Sequence, residues 1–232
     1  MTHWFPSGRR RILESLIQVY APQPGQIADI GCGTGANLEM LAKFAPTVGI
    51  DFFPQAIAYC RMRGLSRTAV AGLPRLPFRD GAFGLVCAFD VIEHLDDDQS
   101  AVSELLRICR PGGILLITVP AYNWLWSQHD EANYHKRRYV RDMLRRLFTT
   151  GPAEVIRLSH FNLLLAPPIV LVRLLGKLKD KLFPPREVKL DLAETPAFFN
   201  RLLLALFSAE RHVLRHFNFP AGISVVCVVR KR

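Results

Sequence analysis

Cysteine is scarce in this sequence, and long apolar runs and a signal-peptide pattern are missing. Its five cysteines are an odd number without a CxxC pair, which argues against a disulfide scaffold or a zinc finger and favours reduced thiols. The best candidate for a membrane span, Leu163–Val172, is ten residues long and contains two prolines, whereas a bilayer requires about 20 apolar residues. The first 20 residues are basic and lack the apolar core and cleavage site of a signal peptide, so we expect a cytoplasmic protein.

Low-complexity sequence is also missing, and the composition is that of a folded protein. Half of the 232 residues are apolar and 22% are charged, which excludes a disordered chain. A chain of this length buries roughly 70% of the surface that its unfolded form exposes, so it needs no disulfide or metal to hold it together. We therefore expect residues 1–232 to form a single domain.

Acidic residues are in short supply in the second part of the chain. Residues 1–135 contain 11 basic and 13 acidic residues, a net charge of −2, whereas residues 136–232 contain 19 and 7, a net charge of +12. Such an excess suits contact with nucleic acid, an anionic membrane face or an anionic substrate, and it equally suits a solvated basic surface.

Apolar runs of strand length alternate with helical patterns along the chain. The predicted strands are 26–30, 47–50, 68–71, 85–89, 114–119, 153–158 and 223–229. The predicted helices between the first five strands are 36–44, 54–63 and 99–109. This alternation predicts an α/β fold with a doubly wound, mostly parallel seven-stranded sheet of the Rossmann-like type. A basic, leucine-rich stretch at 160–218 is predicted to be a helical insertion before the last strand.

A glycine turn, DIGCGTG at Asp29–Gly35, follows the first predicted strand and opens a helix. Glycines permit positive φ and let backbone amides approach a ligand with no Cβ in the way. Asp51 ends the next strand, 20 residues after Gly31, where a carboxylate can accept hydrogen bonds from both ribose hydroxyls. The turn also fits the GxGxxA pattern of nicotinamide enzymes through Ala36, whereas the missing GxxxxGK excludes a P-loop.

Asp29 helps to distinguish between ligands, because it lies at the mouth of the strand. A dinucleotide would bring a diphosphate to this turn, and a carboxylate about 4 Å away would repel it by about 4 kcal/mol at an effective dielectric constant of about 20. A ligand with an amino group or a sulfonium would be attracted by a similar amount. S-adenosylmethionine carries both cations, a ribose and no phosphate, so Asp29 and Asp51 together favour it. Capping of the turn is an additional role that Asp29 can have.

Four segments occur in an order typical of one family: IADIGCGTGANLEML, VGIDFFPQAI, LPRLPFRDGAFGLVCAFDVIEHL and LLRICRPGGILLITVP. Together they resemble the class I S-adenosylmethionine-dependent methyltransferases, in particular the ubiquinone/menaquinone-methyltransferase-like (methyltransferase type 11) group. The resemblance covers about residues 26–120, which it implies to be the cofactor-binding core. Residues 121–150 are then expected to form a loop and a helix at the active site.

The resemblance also implies which residues contact S-adenosylmethionine. They are Asp29, Gly31, Cys32, Gly33, Gly35, Asp51, Phe52, Gly72, Leu73 and Phe89. Asp29 would hold the amino group, Asp51 the ribose, and Phe52 would line the adenine pocket. Relatives often carry an acidic residue for the adenine amino group at the position of Gly72, so backbone groups of Gly72 and Leu73 are expected to replace it here.

Histidines after the fourth and fifth strands are the candidates for catalysis. Methyl transfer mainly requires alignment and exclusion of water, because the sulfonium already activates the carbon. A hydroxyl acceptor also requires a general base, for which His94, His129 and His135 are available. His129 is preferred because its loop is expected to cover the pocket, and a structural hydrogen bond is the alternative role of each histidine.

No metal is expected from the spacing of these side chains. The segment with His129, Asp130, Glu131 and His135 matches no zinc pattern such as HExxH. Aromatic residues precede it at Tyr122, Trp124 and Trp126. They suit either an apolar wall for the acceptor or a hydrophobic lid packed on the core.

The helical insertion at 160–218 combines leucine and phenylalanine with basic residues. Its two predicted helices, 163–183 and 198–217, are interleaved with Arg173, Lys177, Arg201, Arg211 and Arg215. Such helices suit a membrane interface, where apolar side chains enter the lipid and basic ones meet anionic headgroups. They equally suit a cap over the substrate pocket, in which arginine stems cover apolar surface.

The sequence therefore predicts a methyltransferase that uses S-adenosylmethionine and acts on a small-molecule or lipid-like acceptor, such as an isoprenoid, a quinone or a lipid-linked sugar. Peripheral contact with the inner face of the membrane is part of this hypothesis. An RNA methyltransferase is the first alternative, suggested by the basic second part, although we find no RNA-binding module and no NPPY-type motif. A catalytically inactive cofactor-binding adaptor at a membrane surface and a nicotinamide reductase are further alternatives.

Overall fold

A computed structural model describes residues 3–182 and 196–232 and confirms the predicted seven-stranded sheet. The strands are β1 (Ile27–Ile30), β2 (Thr47–Asp51), β3 (Thr68–Val70), β4 (Phe83–Phe89), β5 (Cys109–Pro120), β6 (Ala153–Phe161) and β7 (Ser224–Lys231). Their order across the sheet is β3-β2-β1-β4-β5-β7-β6. Strand β7 is antiparallel to both of its neighbours, and the other pairs are parallel.

Helices pack on both faces of this sheet. They are α1 (Trp4–Tyr20), α2 (Leu38–Leu41), α3 (Pro54–Met62), α4 (Asp98–Ile108), α5 (Gln128–Ala132), α6 (Arg141–Arg146), α7 (Ala166–Leu182) and α8 (Ala197–Leu214). One buried apolar cluster contains residues of α4, α6 and one face of the central strands, and a second contains residues of α1, α8 and the opposite face. All five cysteines are buried free thiols, as expected. Each described helix is too short or too polar to cross a membrane.

The helix predicted at 36–44 is wrong in length, because only α2 forms there. After α2 the amides of Lys43 and Phe44 bond to the carbonyls of Met40 and Leu41, three residues back, in the tighter 3₁₀ pattern. Pro46 follows closely and disfavours helical backbone at the residue before it. The chain therefore leaves the helix early and enters β2.

Helix α1 is not among the predicted elements, although its apolar residues have helical spacing. Ile12, Leu13, Leu16 and Ile17 are all buried and face the sheet as part of the second cluster. The basic run beside them masks this pattern in the sequence. α1 brings Arg9 to the carboxyl edge of the sheet, where its guanidinium contacts the end of β4.

The helical insertion is shorter than predicted at its start, because β6 continues to Phe161 and so includes residue 160. Helix α8 packs on α1: the Phe5 and Phe207 rings are stacked with centroids 5.6 Å apart. A Cβ atom at Gly8 would lie 2.5 Å from Phe207 Cδ1, so glycine is needed for this close crossing. α8 therefore belongs to the helical layer on the sheet. α7 contacts the 121–138 segment through a hydrogen bond from Arg173 to the Leu125 carbonyl.

Candidate functional site

The glycine turn has the backbone conformation that its sequence predicts. Gly31, Gly33 and Gly35 have φ values of 75°, 54° and 82°, in the region that disfavours side chains. The Gly31 amide donates to the Ile50 carbonyl at 2.7 Å, which fixes the turn to β2. A Cβ atom at Gly33 would have nothing within 4 Å, so this backbone borders open space where a ligand can approach.

Asp29 lies within β1, one residue before the strand ends beneath this turn, and is only 1% exposed. Within the described residues, neither of its carboxylate oxygens has a hydrogen-bond partner. Burial raises the pKa of Asp29 to about 7, with the Arg9 cation opposing the rise and Asp51 adding to it. An unpaired buried carboxyl costs about 1–3 kcal/mol or more, so this position calls for a cationic or hydrogen-bond-donating ligand. The ammonium group of S-adenosylmethionine meets that requirement.

Asp51 ends β2 and is held by two backbone amides. Its Oδ2 accepts from the Gly33 amide at 2.8 Å, and its Oδ1 accepts from the Phe53 amide at 2.9 Å. Each carboxylate oxygen has two lone pairs, so both oxygens retain an acceptor site. The side chain is therefore held in one orientation with free acceptor sites, and its contact with the ribose hydroxyls stays a prediction.

Phe52 and Gly72 form the surface on which the resemblance places the adenine. Phe52 is 71% exposed, so its ring is accessible to a ligand. A Cβ atom at Gly72 would lie 3.0 Å from Phe52 Cδ2, so a larger residue would displace the ring. Leu73, the next residue, is partly buried against the core.

Two other predicted cofactor residues are packed into the protein. The Cys32 side chain lies in a small apolar cluster with Leu38, Ile57 and Cys60, and its burial raises the pKa of the thiol above its usual range. Phe89 is 6% exposed, and the Arg9 guanidinium lies 5.9 Å from its ring centroid. Direct contact of these two side chains with the cofactor stays a prediction.

An ion pair that no sequence pattern predicted also lies at this edge, at the end of β4. Arg9 Nη1 lies 2.6 Å from Asp90 Oδ2, and Arg9 Nη2 donates to Thr118 Oγ1 at 2.6 Å. The Thr118 hydroxyl in turn donates to Asp90 Oδ1 at 3.0 Å. Asp90 has a φ of 55°, so this network holds it in a left-handed conformation. The three residues are 109 positions apart at most, and no short motif joins them.

The structure brings together two of the three predicted catalytic histidines. The His94 and His135 rings are in edge contact, with centroids 4.8 Å apart. His135 Nδ1 lies 2.8 Å from Asp130 Oδ1, and burial together with His135 lowers the pKa of His94. The preferred base, His129, does not take part in this ring contact. His129 is an exposed residue of α5. Partial desolvation of its ring, together with the Arg173 cation, lowers the pKa of His129.

Asp130 anchors the segment that carries these histidines. Its side chain is fully buried and receives Arg138 Nε at 2.7 Å and Arg138 Nη2 at 2.9 Å, a bidentate pair. It also accepts from the Ser127 amide at 2.9 Å, which closes the N-terminus of α5. Burial alone would raise the pKa of Asp130, but the hydrogen bonds from His135 and Arg138 hold it below its usual range. Asp130 is therefore a structural carboxylate.

The predicted aromatic wall is only partly exposed. Tyr122 stacks on His160 with centroids 5.2 Å apart and on Trp124 with centroids 5.9 Å apart. Trp124 is 53% exposed, whereas Trp126 is half-buried. The stack runs from the core to the surface beside α5, so it combines a packing role with an apolar surface that an acceptor can reach.

The sheet order with an antiparallel β7, together with Asp29 and Asp51 flanking the glycine turn, defines the class I methyltransferase fold. Residues 28–117 match the model of the Methyltransferase domain family. This match, to under half of the chain, makes the core similar to the S-adenosylmethionine-dependent methyltransferases, and S-adenosylmethionine is the cofactor that its site residues fit. The match covers the core and leaves the helical insertion outside it.

Relatives with several acceptors match parts of the chain. A probable S-adenosylmethionine-dependent methyltransferase of Mycolicibacterium smegmatis is 36% identical over 97 residues, which cover 40% of this chain and 37% of that protein. The probable tRNA methyltransferase 9B of Homo sapiens is 37% identical over 122 residues, 51% of this chain and 25% of that protein. The 2-methyl-6-phytyl-1,4-hydroquinone methyltransferase of Synechocystis is 30% identical over 135 residues, 54% and 40% of the two chains. The matched region thus spans less than half of each of these curated relatives.

Solved structures share the fold over nearly the whole chain. A geranyl diphosphate methyltransferase in complex with S-adenosylmethionine has a TM-score of 0.64 at 14% identity, covering 97% of this chain and 85% of that one. A possible histamine N-methyltransferase from Thermotoga maritima has a TM-score of 0.62 at 18% identity, covering 99% and 93%. These likenesses confirm the predicted fold class.

Proposed function

We propose that this protein transfers a methyl group from S-adenosylmethionine to a hydroxyl of a lipid-like acceptor. The observation that carries the cofactor half of the proposal is Asp29, a buried carboxylate whose two oxygens lack partners among the described residues. Its position one strand from Asp51 suits a ligand with an ammonium group and a ribose. When bound, S-adenosylmethionine supplies a methyl group whose carbon–sulfur bond breaks with its electron pair on sulfur as the bond to the acceptor oxygen forms, leaving S-adenosylhomocysteine.

The protein then has to position the acceptor and remove its proton. His129 is our candidate for the base, since a lowered pKa keeps it neutral and able to accept a proton near neutral pH. One nitrogen of His135 is already engaged by Asp130, and the His94 ring is in edge contact with the His135 ring. α5 follows the carboxyl end of β5, the edge where ligands of such sheets bind.

The lipid-like nature of the acceptor is supported by the outer surface of α7 and α8. Large apolar side chains are exposed along both helices: Leu171, Val172, Leu174, Leu175, Leu178, Phe198, Phe199, Leu202, Leu206 and Val213. Single exposed apolar residues are normal on a protein surface, whereas several along one helix are typical of a surface that contacts a partner or a membrane. The single acidic residue of α8, Glu210, is buried and accepts from the Asn162 and Leu164 amides, so the exposed side of α8 has no negative charge. This combination suits peripheral contact with an anionic membrane.

Flotation with anionic liposomes tests the membrane contact. We expect the protein to float with the vesicles at low salt, and the Phe198→Ser/Phe199→Ser double variant to lose most of this binding, because each buried phenylalanine contributes about 1.5–3 kcal/mol. Met62→Ser is the control, since Met62 is also exposed but lies on α3. No co-migration of the wild-type protein would contradict this part of the proposal.

RNA is the second candidate acceptor, favoured by the basic residues 136–232 and by the similarity to a probable tRNA methyltransferase. Incubation with labelled S-adenosylmethionine and separate lipid, small-molecule and RNA extracts distinguishes the acceptors. We expect the label in the lipid fraction. Label in RNA, with binding that weakens steeply as salt increases, would favour the alternative. Calorimetry that detects tight binding of a pyridine dinucleotide and none of S-adenosylmethionine would overturn both.

A further inference from the structure

Glu93 is a buried carboxyl that the proposed function does not use. It lies in the turn after β4 and has no exposed surface. Neither of its oxygens has a hydrogen-bond partner among the described residues. Arg9 and Arg138 are close enough to act on its charge, but they form their ion pairs with Asp90 and Asp130. A carboxyl in this position is either protonated or the ligand of a cation.

Two imidazoles lie beside this carboxyl. One ligand atom from each of Glu93, His94 and His135 lies within 4.8 Å of the other two. Such a separation allows all three atoms to reach one ion between them with small side-chain adjustments. Two histidines and one carboxylate form a ligand set that suits zinc and neighbouring transition metals, whereas magnesium and calcium prefer oxygen ligands alone.

Outer interactions fix the orientation of the His135 imidazole, against which the His94 ring packs. His135 Nδ1 is bound to Asp130 Oδ1 at 2.8 Å, so Nε2 is the nitrogen left for an ion. Asp130 is itself fixed by the bidentate pair with Arg138. The His94 ring is in edge contact with the His135 ring, with centroids 4.8 Å apart. Metal-binding histidines in proteins typically have such carboxylate or carbonyl partners on their second nitrogen.

The cluster is also tied to the cofactor turn. The Lys136 amide donates to the Glu93 carbonyl at 2.7 Å, which joins the two loops that carry the three side chains. Val91, two residues before Glu93, packs so closely on Gly31 that a Cβ atom there would overlap it. The cluster therefore lies at the same edge of the sheet as the turn that receives S-adenosylmethionine.

We propose that Glu93, His94 and His135 bind one divalent transition-metal ion, with zinc as its representative. The sequence predicts no metal here, because Glu93 is separated from His135 by 41 intervening residues and forms no known spacing pattern with it. Three protein ligands leave at least one coordination position open, as in catalytic zinc sites. If the proposed function is correct, that position takes the acceptor oxygen and lowers the pKa of its hydroxyl, which makes the proton easier to remove.

Titration of chelator-treated protein with Co²⁺ or Zn²⁺ tests the site without reference to activity. We expect one ion per chain and a Co²⁺ absorption spectrum typical of four or five nitrogen and oxygen ligands. Glu93→Gln and His135→Asn are expected to bind at least about 100-fold more weakly, since each loses a direct ligand and loss of an outer partner alone costs about 10–100-fold. His216→Gln, which changes a histidine beyond α8, is the control and is expected to bind normally.

Thermal unfolding gives an independent readout that does not depend on the variant binding an ion. Without metal, Glu93→Gln is expected to melt at or above the wild-type temperature, because it removes an uncompensated buried acid. With excess Zn²⁺ the wild type is expected to melt at a higher temperature than Glu93→Gln, since only the wild type gains stability from binding. Sub-stoichiometric binding by the wild type, an unchanged affinity in Glu93→Gln, or an equal loss in His216→Gln would overturn the metal site. S-adenosylmethionine binding, measured on the same samples, would still report on the proposed function by itself.

Discussion

Asp29 and Asp130 are both buried carboxylates at the carboxyl edge of the sheet, and they differ in what surrounds them. Asp130 is completely enclosed and receives hydrogen bonds from Arg138, His135 and Ser127. Asp29 is equally buried, yet within the described residues its oxygens receive none. The pKa values follow this difference, since that of Asp130 is lowered and that of Asp29 is raised to about 7.

This difference indicates which carboxylate serves the fold and which one serves a ligand. A buried charge that the protein pairs by itself stabilises one arrangement of the chain, here the loop between β5 and α6. A buried charge left unpaired is a cost to the free protein that a ligand can remove on binding. Disrupting the Asp130 pair should therefore lower stability, whereas changing Asp29 should lower cofactor affinity.

The largest expected effect is on stability, from Arg138→Met. This variant leaves Asp130 as an uncompensated buried charge, so we expect the free energy of unfolding to fall by about 3–5 kcal/mol. Urea denaturation followed by circular dichroism measures it. Arg146→Met on exposed α6 is the matched control and is expected to change stability by less than about 0.5 kcal/mol. Equal losses in the two variants would show that Asp130 is not the anchor of this loop.

The contrast also explains what could be predicted from the sequence. The glycine turn, Asp29 and Asp51 were predicted because each belongs to a short local pattern at the end of a strand, and the backbone conformation of that pattern depends on its own residues. The sheet was predicted for the same reason, since strands and helices alternate along the chain. The predicted length of α2 was wrong because Pro46, which lies after the helix, disfavours helical backbone before it and the helix ends early.

Long-range pairs were not predictable in this way. Arg138 belongs to the basic run at 136–138, and nothing in the sequence of that run distinguishes the buried arginine from its neighbours. Glu93 and His135 come together because the turn after β4 and the loop after β5 share one edge of the sheet. Arg9 reaches Asp90 only because α1 packs across the strands. Each case depends on tertiary packing that brings distant residues together, which a local pattern does not contain.

A smaller effect, on affinity, is expected from Asp29→Asn. The amide keeps the shape of the side chain but loses the charge that pairs with an ammonium group, and a hydrogen bond to a charged group contributes about 1.5–3 kcal/mol. We expect S-adenosylmethionine to bind about 10- to 150-fold more weakly by calorimetry, with thermal stability of the free protein unchanged or raised. Glu39→Gln, an exposed change on α2, is the control. Unchanged affinity in Asp29→Asn would mean that this carboxylate does not hold the cofactor.

The smallest effect is a pH dependence that belongs to Asp29 alone. In the free protein its pKa is about 7, and pairing with a cation lowers it, so binding below this pH requires loss of a proton. Affinity for S-adenosylmethionine should therefore fall as pH decreases below about 7, by up to about tenfold per pH unit, and level off above it. Stability of the free protein has the opposite trend: a carboxyl whose pKa is raised on folding stabilises the fold at low pH, and this contribution is lost as pH rises from about 4 to about 7. Calorimetry and thermal unfolding at matched pH values, with Asp29→Asn as the reference, measure both trends. Parallel pH profiles for wild type and variant would assign the titration to another group and remove the distinction between the two carboxylates.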